Sequence, residues 1–166
     1  HALEGKLNIM ASGDLNAYET VLSVLKDLGE NVFHLGELGS GHTIKLINNF
    51  FGMTVANAMA EAFAMADIAG VDRSQMHSVM AAGPLHSGMM DFVKAYAVDA
   101  DPNQLAFAVK NAVKDVGYYS QMAQEAGVES IMSQGTLAAL KSARDEGRGE
   151  DMVSQMVDFY VQKFDA

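Results

Sequence analysis

Leu7, Ile9 and Ala11 fall on alternate positions, and Gly13-Asp14 follows, so the chain opens as a short strand and a turn. From Asp14 the apolar positions change to helical spacing at Val21, Leu22, Val24, Leu25 and Leu28, with Asp14 as the predicted N-cap and Gly29 as the stop. Val32-Phe33-His34-Leu35 reads as a second strand. A strand, helix, strand unit is a piece of an α/β sheet, since two strands alone do not make a stable one.

After the glycine-rich break Gly36-Glu37-Leu38-Gly39-Ser40-Gly41, helical pattern runs to about Gly70 with only Gly52 interrupting it. Alanines at 56, 58, 60, 62, 64, 66 and 69 let neighbours approach, and Ile47, Phe50, Phe51, Val55, Met59 and Phe63 fill space. Apolar nearly all round, this segment is expected to be a central helix buried by others. Further helices are predicted over 72–82, 87–98, 103–126, 130–146 and 151–164, capped by Asp72, Ser87, Ser130 and Asp151. The expected fold is mainly α, a helical bundle around one long central helix preceded by a short β-α-β remnant, with the boundary between 1–41 and 42–166.

Composition narrows the function. The 166 residues carry 11 Lys and Arg against 21 Asp and Glu, a net charge of −10. That excess argues against binding nucleic acid or an anionic membrane surface. With no cysteine, disulfides, iron–sulfur clusters and thiol nucleophiles are excluded. No apolar run reaches the ~20 residues of a membrane span, and no secretory signal is present. The expected location is cytoplasmic. The chain opens on His1 instead of Met, so it is expected to begin downstream of the translation start. His34, His42, His77 and His86 lack ligand spacing, so no metal site is expected. Met89-Met90 reads as core filler and Tyr118-Tyr119 as helix-interface packing.

The polar residues that stand out are Lys45, Asn48, Asn49 and, beside them, Gly52. At about 100° per residue they share one face of the long helix. An amine and two carboxamides thus lie beside a position with no side chain. Just before them, Gly39-Ser40-Gly41 leads into a helix N-terminus, where backbone N–H groups favour an anion. A buried lysine there would lose part of its basicity and could exchange a proton with a reacting oxygen. From spacing alone, a solvated polar stripe at a helix end is the simpler reading.

The run Gly39-Ser40-Gly41-His42-Thr43-Ile44-Lys45-Leu46-Ile47-Asn48-Asn49 resembles the G-x-G-x-x-x-K-x-x-x-N motif of the β-hydroxyacid dehydrogenases. Glu61-Ala62 followed by Gly70-Val71-Asp72, and Phe107 followed by Lys114-Asp115, resemble two further elements of that family in the same order. The resemblance implies a helical domain like the C-terminal domain of 6-phosphogluconate dehydrogenase, preceded by the end of a Rossmann domain. It implies Lys45 as catalytic lysine, Asn49 with Asn48 and the Gly39-Ser40-Gly41 turn as substrate-binding residues, and Lys114 with Phe107 beside the cofactor. The implied reaction is hydride transfer between NAD or NADP and a small 2- or 3-hydroxy acid or semialdehyde, and the implied assembly a homodimer or higher homo-oligomer. The alternative is a non-catalytic helical dimerisation or binding module. Lys114-Asp115 continues as Val116-Gly117-Tyr118-Tyr119-Ser120, Gly88 follows Ser87 where relatives often have Trp, and the chain has no Trp. These departures leave the substrate unassigned. The family's G-x-G-x-x-G turn is absent from this sequence. The isolated chain is therefore expected to bind NAD(P) weakly or not at all and to turn over no substrate.

Overall fold

The computed structural model describes residues 4–165, and the opening His1 lies outside them. Contacts divide the chain into two compact units, His1–Asn48 and Asn49–Ala166. In the first, strand β1 (Asn8–Ala11), helix α1 (Leu15–Leu28) and strand β2 (Asn31–His34) form a β-α-β unit. The strands are parallel, with Asn8 opposite Asn31 and Ala11 opposite His34. Asp14 caps α1 as its position predicts, accepting the Ala17 N–H at 2.7 Å. Helix α2 (Ser40–Ile68) starts in this unit and runs on into the second.

The second unit is helical. Beyond the remaining turns of α2 it contains α3 (Arg73–Ala81), α4 (Gly88–Ala97), α5 (Val109–Glu125), α6 (Ile131–Ala143) and α7 (Met156–Phe164). Its core gathers Met53, Ala56, Met59, Ala60 and Phe63 of α2 with Val93, Val109, Val116, Leu140, Met156 and Val157. Full burial of a side chain such as Phe63 or Leu140 stabilises the fold by about 1.5–3 kcal/mol. Buried Asn57 and partly buried Tyr160 bring a polar pair to this core. Asn57 donates to the Met53 carbonyl at 2.9 Å and accepts the Tyr160 hydroxyl at 3.3 Å. Burial, aided by Glu61, pushes the Tyr160 phenol up to about 12. No helix of the described residues is long and apolar enough to cross a membrane.

Several expectations are corrected. The α2 segment is not buried all round, since Phe51, Met65 and Ile68 are each more than half exposed. The helix expected over 103–126 is broken: a 3-10 turn at Pro102–Leu105 ends before Phe107, and α5 begins at Val109. The cause lies far along the chain. Val153 donates to the Phe107 carbonyl at 2.9 Å and Val109 to the Asp151 carbonyl at 2.8 Å, so extended pairing holds 107–108 out of the helix. For the same reason Asp151 caps nothing, and its carboxylate pairs with Arg148. Ser130 precedes α6 but makes no side-chain cap bond. Asp72 and Ser87 do cap, accepting from the Gln75 and Met90 N–H groups. Met90 is buried and Met89 packs at the core margin, as core filler should. Tyr119 stacks on Phe50 with centroids 4.1 Å apart, whereas Tyr118 is exposed.

Candidate functional site

Within the first unit, two glycines set the start of α2. Gly39 has φ of +98°, a conformation side chains disfavour, and there it turns the chain into the helix. Gly41 lies against β1, where an added Cβ would stand 2.5 Å from the Met10 carbonyl oxygen. The helix opening therefore sits on the strand backbone, and the next turn carries His42 and Lys45. Gly41, His42 and Lys45 line a shallow recess of about 260 Å³ with Asn8 and Met10. Gly39 and Ser40 line a different recess with Leu35, Thr43 and Ile44. The structure thus joins Gly41 to Lys45 but gives Gly39 and Ser40 other surroundings. The Ser40 N–H donates to the Glu37 carbonyl and the Thr43 N–H to the Gly39 carbonyl, so part of the expected anion-binding turn is already engaged. Lys45 and Asn48 are exposed.

Asn49 opens the second unit on the same continuous helix, one turn after Lys45. Its Nδ2 donates to Asp115 Oδ2 at 2.8 Å. A carboxylate only accepts, so this bond fixes the amide orientation and leaves the Asn49 carbonyl oxygen as an acceptor. The other oxygen of Asp115 lies 3.0 Å from Lys114 Nζ. Asp115 is 14% exposed and Lys114 56% exposed, so the carboxylate is an internal anchor and the ammonium an outward one. Asp115 was missed as a site residue. The Lys114-Asp115 dipeptide marks it, but nothing local connects it with Asn49, which lies 66 positions away. Phe107 is half-buried against the helical core and precedes α5, so the structure does not bring its ring to Lys114 by a shared helix face.

Two of the histidines meet a carboxylate. Asp91 lies between them, 3.3 Å from His77 Nε2 and 2.9 Å from His86 Nε2. Among the described residues no group of three or more side chains is arranged to hold a metal ion.

A mainly helical unit preceded by a parallel β-α-β, with the lysine and asparagine of the motif one turn apart on a single helix, defines a class. Residues 39–160 match the family described as NAD-binding of NADP-dependent 3-hydroxyisobutyrate dehydrogenase, and the chain belongs to that family. Among its relatives, glyoxylate/succinic semialdehyde reductase 1 of Arabidopsis thaliana is 27% identical over 157 residues, covering 95% of this chain and 54% of the relative. L-threonate dehydrogenase of Haemophilus influenzae is 27% identical over 160 residues, covering 96% and 53%. The crystal structure of 3-hydroxyisobutyrate dehydrogenase from Salmonella typhimurium superimposes with a TM-score of 0.84 at 27% identity, covering 95% of this chain and 55% of that one. The chain thus spans about half the length of the curated relatives it matches.

Proposed function

We propose that this chain works as the C-terminal half of an NAD(P)-dependent dehydrogenase of small 2- or 3-hydroxy acids, or of the matching semialdehydes in reverse. In this reading, 1–41 is the end of a dinucleotide-binding domain and 42–166 a domain of the 6-phosphogluconate dehydrogenase C-terminal type. The observation that carries it is the family match over 39–160, together with the fixed Asn49 carboxamide one turn after Lys45.

The chain's own residues fit the substrate end of such a site and not the phosphate end. Lys114 presents an exposed ammonium anchored by Asp115, suited to an anionic group. No G-x-G-x-x-G turn is present in the sequence, and the turn before α2 uses the Ser40 N–H internally. When bound, nicotinamide supplies the hydride chemistry. Asn49, with one Nδ2 hydrogen held by Asp115, donates the other to the substrate hydroxyl oxygen and orients it, leaving the hydroxyl proton free for Lys45. Asn48 assists on the same helical face. Gly39, Ser40 and Gly41 shape the entry to α2 beside a substrate carboxylate, and Phe107 supports the cofactor side of α5. Lys45 takes the hydroxyl proton as the alcohol is oxidised and returns it in the reduction.

Two measurements test this reading. The full-length protein should oxidise members of a hydroxy-acid panel with NAD or NADP, and Lys45→Ala should lower turnover by 10²–10⁴-fold, the usual range for a positioned acid–base group. Near-normal turnover by Lys45→Ala on every active substrate would remove Lys45 from the mechanism. Calorimetry on the 166-residue chain alone should detect neither nucleotide, and micromolar binding would overturn the proposed division of labour. The exposed Phe51, Met65 and Ile68 on α2 support a second element, self-association as a homodimer or higher oligomer. A monomer in sedimentation at micromolar concentration would contradict it.

A further inference from the structure

Asn49 and Gly52 occupy successive turns of one face of α2, and the space above Gly52 is filled from another helix. A Cβ at Gly52 would lie 3.2 Å from the terminal methyl of Met89. Because Cα–Cβ bonds in a helix tilt toward the N-terminus, that spot lies on the Asn49 side of Gly52. The Met89 methyl therefore rests on the bare backbone of α2 just past the oriented carboxamide.

The position of Met89 is set by its own helix. Ser87 caps α4 through the Met90 N–H, and Met90, Val93 and Ala97 point into the core, which fixes the rotation of the helix. Met89, one residue before Met90, is turned about 100° away, to the core margin. Both partners are needed. Any side chain at position 52 would displace the methyl, and a β-branched residue or an alanine at 89 would not reach the glycine.

We infer that Met89, seated on Gly52, closes the substrate site beyond Asn49 and limits the length of carbon chain that the enzyme accepts. The inference rests on the dehydrogenase reading above. A ligand whose hydroxyl is held by Asn49 and whose tail runs toward the C-terminal end of α2 meets the methyl within the next helical turn. The thioether gives such a tail an apolar end wall. A longer or branched tail must displace Met89 or turn elsewhere.

The test uses the full-length protein with NAD and NADP and two substrate series. One series is glycolate, lactate, 2-hydroxybutanoate and 2-hydroxypentanoate; the other is 3-hydroxypropanoate, 3-hydroxybutanoate and 3-hydroxyhexanoate. The readout is the ratio of kcat/KM for the longest member to that for the shortest active member, with circular dichroism to establish folding. Met89→Ala should raise this ratio by about 10–100-fold, the range that one or two methylenes command in an apolar pocket. Met89→Leu, similar in volume, should keep the ratio within about threefold of wild type, since volume-conserving swaps are tolerated best. A folded Met89→Ala protein with an unchanged ratio, whatever its absolute rates, overturns the inference while the dehydrogenase reading stands. A wild-type protein inactive on both series removes that reading and this one with it.

Discussion

Asp115→Ala tests the anchor that holds the Asn49 carboxamide. The wild-type carboxylate accepts from Asn49 at 2.8 Å and stands 3.0 Å from Lys114, with its own side chain only 14% exposed. A hydrogen bond to a charged acceptor contributes about 1.5–3 kcal/mol, and losing the acceptor leaves the Asn49 N–H half-buried without a partner. Lys114 is more than half exposed, so its share is about 0–1 kcal/mol. The alanine variant should therefore lose about 2 kcal/mol. Asp115→Asn keeps an acceptor for Asn49 and removes only the charge, so it should lose about 0.5–1 kcal/mol. At this chain length 2 kcal/mol corresponds to about 4–8 °C in Tm. Urea unfolding followed by circular dichroism measures both. The double variant Asn49→Ala/Asp115→Ala should show a coupling of about 1–2 kcal/mol. Asparagine and alanine variants with equal stability, or coupling near zero, would show that the bond does not hold Asn49.

Other consequences follow from the packing. Gly41→Ala places a Cβ 2.5 Å from the Met10 carbonyl oxygen, a backbone atom with no room to yield, and should cost about 1–3 kcal/mol in the same unfolding assay; an unchanged midpoint would mean that α2 does not start against β1 as described. Tyr160 titrates at about 12 in the folded chain against about 10 when unfolded, so folding favours its neutral form. Its contribution is fully present below pH ~10 and is lost as pH rises through about 12. Phenolate absorbance, taken as the difference between wild type and Tyr160→Phe, should appear only near that upper value, and a phenolate formed near pH ~10 would contradict the burial.

Much of the fold was legible because its signals are local. Asp14, Asp72 and Ser87 each place an oxygen three residues before an orphan N–H, a relation written in consecutive residues. The β-α-β unit announces itself by the change from alternating to helical spacing. What stayed hidden depends on partners far along the chain. Nothing near Phe107 says that Val153 will claim its carbonyl and interrupt a helix. Periodicity put Lys45 and Asn49 on one face, yet it named neither the carboxylate that fixes Asn49 nor the exposure of Lys45. The two histidines around Asp91 are a third case, since His77 lies on one helix, Asp91 on the next and His86 in the link between them.

The parallel pair β1 and β2 has a bearing on production of the chain. Among the described residues no third strand pairs with either one; the opening of α2 lies against β1, while β2 has no strand on its outer side and Phe33 is exposed on it. Such an edge offers a row of unmatched amides and carbonyls to any extended segment nearby, including the same strand in another molecule. Made alone at high concentration, this polypeptide should lose soluble yield through edge-to-edge association, and a lysine or proline at an outward position of β2 should recover more of it than any repacking of the helices.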